Sequence, residues 1–237
     1  MKYFLEQCKY DFSADNINII VNLYDQSGSM GQHISAMQKA NRAFFDDFSK
    51  FEERGAIAIS KAVFSDYYKM TPFRDVKYFS TNYCADNTTF LYSSIVRTVE
   101  NTIAYYNELV KRLNVRARIT FLVFTDGQDN EHGCVSLSDA KNAITQLNSL
   151  DATTVFVAFG DAIEAGIGDM LGFTCTKNIT SVKELVSCLG SELSKSCKEQ
   201  SRSIYSLKSE FFSKAGQDSS ADSISDQPIV DDDFFNV

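Results

Sequence analysis

Asp25, Ser27 and Ser29 stand at alternate positions in Asn22-Leu23-Tyr24-Asp25-Gln26-Ser27-Gly28-Ser29-Met30-Gly31, directly after the apolar run Ile17-Asn18-Ile19-Ile20-Val21. An acid and two hydroxyls therefore leave the end of a buried strand together, which is where open α/β sheets bind ligands. The same residue types also cap helices and shape turns, so this loop gains meaning only from what other strand ends carry. Two further loops contribute. Tyr83-Cys84-Ala85-Asp86-Asn87-Thr88-Thr89 opens onto a long helical pattern, and Thr125-Asp126-Gly127 ends the run Arg118 to Phe124 (RITFLVF). Every candidate is a hard oxygen donor. Such a set suits Mg²⁺ ahead of Ca²⁺ or zinc, because Mg²⁺ prefers six oxygens, keeps some waters and uses only one or two carboxylates. The six cysteines are scattered without a CxxC pair, and His33 and His132 are the only histidines, which argues against a zinc site.

The elements that must position these loops follow from the apolar spacing. Ile34, Met37, Asn41, Phe44, Phe45 and Phe48 fall at steps of three and four, predicting an amphipathic helix from residue 33 to about 50. Ala56 to Phe64 reads as a strand, and Val76 to Phe79 as a short edge strand paired back in a hairpin. The loop from Tyr83 carries no side chain that demands burial. Leu91, Ile95, Val99, Ile103, Tyr106, Val110 and Leu113 then mark the longest helix. Ser138-Asp139 can cap a helix with Ala140, Ala143, Ile144 and Leu147 on its apolar face. Thr153 to Phe159 is a further buried strand, closed by Gly160-Asp161. A helical piece around Ile163 to Leu171 and a strand near Phe173 to Thr176 follow, and Ser181 to Glu184 has capping-box spacing before a last helix. Alternating strands and helices predict an α/β fold: a Rossmann-like, open, mostly parallel sheet of about six strands with one antiparallel edge and helices on both faces.

The chain of 237 residues is long enough for one such domain, and its 44% hydrophobic and 23% charged content is that of a globular protein. The expected organisation is an entry segment at 1–15, the domain at 16–200 and an acidic tail at 201–237. Of the net charge of -8, the part from Glu210 onward carries -6, with Gly216 to Asp226 (GQDSSADSISD) disorder-like in composition. No basic patch suits direct nucleic-acid binding, and no run reads as a membrane span or signal peptide. A cytoplasmic location with reduced thiols is expected on these grounds.

Asp25-x-Ser27-x-Ser29, a later threonine and Thr125-Asp126-Gly127 after an apolar strand together resemble the metal-ion-dependent adhesion site (MIDAS) of von Willebrand factor type A domains. The resemblance covers residues 15 to 200 and rests on three separated motifs in the right order. It implies that Ser27 and Ser29 bind the cation through their hydroxyls, that Asp25 acts mainly through a water, and that Asp126 is the second acid. Thr89 is the preferred threonine, because Thr89-Phe90-Leu91-Tyr92-Ser93-Ser94-Ile95 is similar to the family's Thr-x-Leu-Tyr-x-x-Ile helix start. Asn87-Thr88 stands where relatives often have two glycines, which leaves Thr88 as the alternative ligand. Small stand-alone members of bacterial and phage type offer the nearest analogy of organisation.

The function so implied is a protein-binding module. A Mg²⁺ ion, with Mn²⁺ or Ca²⁺ as substitutes, is held by Asp25, Ser27, Ser29, Thr89 and Asp126, and a protein partner's Asp or Glu completes its shell. Gln26, Met30, His33, Tyr83 and Asp129 are the expected rim that selects the partner. An alternative is a Mg²⁺-dependent phosphoryl-transfer or hydrolytic enzyme. The first strand lacks Asp-x-Asp and no lysine is placed to steady a phosphoryl group, so an enzyme is not expected. A second alternative keeps the fold as a regulatory subunit with an inactive metal site. Asp231-Asp232-Asp233-Phe234-Phe235 in the tail has the charge and aromatic anchors to dock on a basic groove.

Overall fold

The computed structural model describes residues 16–50, 57–86, 88–114, 116–127, 129–130 and 135–202. The entry segment, His132 and the acidic tail lie outside the described residues. Six strands form one sheet: β1 (Asn16–Asp25), β2 (Ile57–Phe64), β3 (Tyr68–Met70), β4 (Arg116–Thr125), β5 (Thr153–Ala158) and β6 (Cys175–Asn178). Their order is β3-β2-β1-β4-β5-β6, parallel throughout except for the antiparallel edge β3. The helices are α1 (Ile34–Ser49), α2 (Leu91–Leu113), α3 (Leu137–Ser149), the short α4 (Gly160–Glu164) and α5 (Ile167–Leu171), then α6 (Val182–Ser187) and α7 (Ser194–Arg202).

Strand alternation divides the core. Ile17, Ile19, Val21 and Leu23 of β1 pack toward α2 and α3, with Leu91, Ile95, Val99, Ile144 and Leu147. Ile20 and Tyr24 face the other way, against Met37, Phe44 and Phe48 of α1 and Leu185 of α6. The helices leaving β1 and β4 thus cover opposite faces, and the crevice between the C-terminal ends of β1 and β4 is a topological switch point.

Four local expectations are corrected. The antiparallel edge is Tyr68–Met70, and Val76–Tyr78 is a 3₁₀ turn. Ser65 N–H donates to the Tyr67 carbonyl at 3.0 Å, so the chain reverses at once and pairs back along β2 before Pro72. Asp75 then accepts from Lys77 N–H at 2.9 Å and curls the next residues. On α2, Ile103, Tyr106 and Val110 are only half-buried, whereas Thr98, Thr102, Tyr105 and Leu109 are buried. The buried stripe includes two threonines, whose hydroxyls donate to the carbonyls one turn back, Ser94 at 2.6 Å and Thr98 at 2.7 Å. Polar letters therefore conceal part of an inward face. The cap of α3 is Ser136 rather than Ser138, in a reciprocal capping box with Asp139. Tyr83, in the loop expected to carry no side chain that demands burial, is only 4% exposed.

Candidate metal centre

Asp25 is the last residue of β1, and its carboxylate is held from two sides. Ser27 N–H donates to Oδ1 at 2.7 Å, the local turn that an aspartate closes on its own backbone. Thr125, the last residue of the neighbouring β4, donates its hydroxyl to Oδ2 at 2.5 Å. Asp25 is fully buried, and burial pushes its pKa from 3.8 up to about 6, against the pull of those donors from Thr125 and Ser27.

The other oxygens gather around it. Ser27 Oγ lies 3.1 Å from Ser29 Oγ, and Ser29 Oγ donates to Asp126 Oδ1 at 2.8 Å, so a chain of hydroxyls links the two loops. Ser27 is buried and Ser29 is exposed, which leaves one side of the cluster open to solvent. Asp126 is 6% exposed and its pKa is also raised, mainly by burial; Ser29 and the nearby His33 oppose that shift. Thr89 is buried, and its Oγ1 lies 3.7 Å from the point where a Cβ on Gly127 would sit. Its carbonyl accepts from Asn130 N–H at 2.8 Å, which ties the threonine loop to the Asp126 loop, while Thr88 is exposed. The threonine hydroxyl thus lies in van der Waals range of the residue that follows Asp126.

The five residues of the expected ligand set accordingly lie together at the switch point; of the expected rim, His33 and Asp129 are half-exposed, whereas Gln26, Met30 and Tyr83 are buried. Met30 is wholly buried in the α1-side core, and Gln26 and Tyr83 are 4% exposed. Tyr83 donates its hydroxyl to the Asp25 carbonyl and so props the loop from beneath. Gln26 accepts from the Tyr67 hydroxyl at 2.7 Å. His33 is half-exposed and stacks on Phe159, with centroids 5.6 Å apart. Asp129 accepts from Tyr92 N–H at 2.9 Å, capping α2 from another loop; Phe90, the residue before α2, makes no side-chain cap bond.

Thr125 is a contributor with no role assigned on sequence, although its signal is discernible: it is the strand-terminal residue beside Asp25's strand. Tyr83, expected at the rim, instead supports the Asp25 carbonyl, and its aromatic character in a polar loop is the sole sequence signal of that role.

The donor set fits a cation. Two buried carboxylates lie close enough for Asp126 to raise the pKa of Asp25, and among the described residues neither forms an ion pair. A buried charge without a counter-charge is costly. Among the described residues there is also no group of three or more His, Cys, Asp or Glu that could hold a metal. A cation here depends on hydroxyls as much as on acids.

No protein-family model matches the sequence, and no curated protein matches it. Solved structures do. The pilus adhesin SpaC of Lactobacillus rhamnosus GG superimposes with a TM-score of 0.61 at 9% identity, over 79% of this chain and 31% of its own. Proximal thread matrix protein 1 of the mussel byssus, in a structure with a zinc-occupied MIDAS motif, gives a TM-score of 0.51 at 16% identity, over 77% of this chain and 46% of its own. The chain spans less than half the length of either protein. Identities this low speak to the fold alone. With the strand order and the helices on both faces, they establish that this chain has the Rossmann-like α/β fold of von Willebrand factor A domains.

Proposed function

We propose that this protein is a metal-dependent protein-binding module, and not an enzyme. Asp25, Ser27, Ser29, Thr89 and Asp126 would hold one Mg²⁺ ion, with Mn²⁺ or Ca²⁺ able to replace it. The observation that carries the reading is the pair of buried acids, Asp25 and Asp126, joined by the Ser27 and Ser29 hydroxyls and without an ion pair among the described residues. A bound divalent cation would supply the missing positive charge and a Lewis-acidic position for an incoming oxygen.

The chain's own groups determine the rest. Thr125 and the Ser27 amide fix the Asp25 carboxylate, so it is pre-oriented before any ligand arrives. Exposed Ser29 marks the solvent side, where a partner's Asp or Glu can approach. Cytoplasmic residence is part of the proposal, supported by the free thiols Cys84, Cys175, Cys188 and Cys197.

The test is affinity capture with immobilised wild-type protein in Mg²⁺ or EDTA, beside Ser27→Ala/Ser29→Ala. Partner recovery should require Mg²⁺ and both serines. Equal recovery under all conditions would refute metal-dependent adhesion.

A further inference from the structure

Beside the metal loop an open cleft of about 410 Å³ runs along the β2–β3 edge, lined among others by Gln26, Lys61, Tyr67, Lys69, Tyr83 and Cys84. Lys69 stands opposite Val63 in the antiparallel register, and Val63 is two residues from Lys61 on its strand. Both lysines therefore project from the same face of the sheet edge. Lys61 is only 6% exposed, an unusual state for a lysine in the middle of the strand Ile57–Phe64. Its ammonium donates to the carbonyls of Ser80, at 3.1 Å, and Asn82, and lies 5.3 Å from the Tyr24 ring centroid. All of these partners are neutral. No acidic side chain lines the cleft among the described residues, in a chain whose net charge is -8. Burial lowers the Lys61 pKa to about 8, partly offset by nearby Cys84.

The cleft is also mechanically part of the metal loop. Gln26, the residue after Asp25, is in its lining; its carbonyl accepts from Asp86 N–H at 2.6 Å, its side chain accepts from Tyr67, and Tyr83 holds the Asp25 carbonyl. A peptide chain seated at the cation can thus continue into the cleft. We propose that the cleft anchors a second acidic side chain of the same protein partner, so that the preferred ligand is an acidic peptide segment with one carboxylate for the cation and another for Lys61 and Lys69. The proposal rests on the metal-site reading and adds to it a selectivity that one cation cannot supply. Charge complementarity decides the occupant: a buried ammonium with only neutral partners is best matched by a carboxylate.

The probes are synthetic Gly/Ser peptides carrying one Glu, or two Glu at separations of about three to seven residues, a spread set by the reach of an extended chain. They are titrated by NMR into the wild-type chain in Mg²⁺ and in EDTA. A two-Glu peptide should bind about ten-fold tighter than the one-Glu peptide. Lys61→Met or Lys69→Glu should abolish that preference and leave one-Glu binding unchanged. Lys69 is exposed, so Lys69→Glu keeps the test valid if Lys61→Met fails to fold. Mg²⁺-dependent binding without preference for a second Glu overturns the anchor and leaves the metal reading standing. A lysine-dependent preference that is the same in Mg²⁺ and EDTA supports the anchor and overturns the metal reading. Absence of any binding overturns both.

Discussion

Asp25 combines two demands that conflict without a cation: complete burial and a carboxylate held ready by Thr125 and Ser27. Its folded pKa of about 6 stands above the unfolded value near 3.8. The folded state therefore binds the extra proton between those values, and cation-free protein should lose stability as pH rises through that window, by about 3 kcal/mol at most. The raised pKa of Asp126 acts in the same direction. Urea unfolding in EDTA at about pH 4.5, inside that window, and at about pH 7, above it, should give the higher midpoint at the lower pH. Mg²⁺ competes with that proton, so its affinity should climb through about pH 6 and level off above it. Asp25→Asn removes the buried charge. It should abolish cation binding and yet raise the melting temperature of the metal-free protein, by about 1–2 kcal/mol of stability; a lower melting temperature in EDTA would show that the charge is already compensated.

At the scale of elements, the site depends on how three loops are tied together. Asp129 caps α2 at Tyr92, and Asn130 holds the Thr89 carbonyl, so the β4 loop and the start of α2 form one unit. Asp129→Ala should cost about 1 kcal/mol in thermal unfolding, as caps do, and weaken cation binding because Thr89 is released with the helix start. Gly168 in α5 provides the contrast. A Cβ there would stand 2.8 Å from Thr176 Oγ1 and 2.9 Å from Phe156 Cβ. Gly168→Ala should lose about 1–3 kcal/mol of stability while cation affinity is unchanged.

These ties also show what could be read from sequence. β1, β4 and β5 announce themselves as apolar runs; the motifs after β1 and β4, with the Tyr83–Thr89 loop before α2, mark the site. The edge strand was misplaced because three residues, Tyr68–Met70, carry too short a pattern, and their pairing is fixed by the tight turn at Ser65. The inward face of α2 was shifted because Thr98 and Thr102 satisfy their hydroxyls on the helix itself. Met30 and Tyr83 read as rim residues from their place in polar loops, and nothing local in the sequence shows that the core beneath the site covers each. Lys61 did carry a signal, a charge inside an apolar strand, whose meaning required the neighbouring Lys69 and the cleft.

Across the whole molecule, the sheet separates two cores, one against α2 and α3 and one against α1 and α6, and the candidate site sits where the two faces part. A cation binding only the folded chain stabilises all of it, by about 2.7 kcal/mol at a hundred-fold excess over its dissociation constant. For a chain of this size that corresponds to a rise of about 5–10 °C in melting temperature. The most direct test of the central claim is calorimetric titration of Mg²⁺ into the wild type and into Ser27→Ala/Ser29→Ala, with folding of both confirmed in EDTA. The account predicts saturable binding of one cation per wild-type chain and none to the double variant; no binding to the wild type, or equal binding to both, would contradict it.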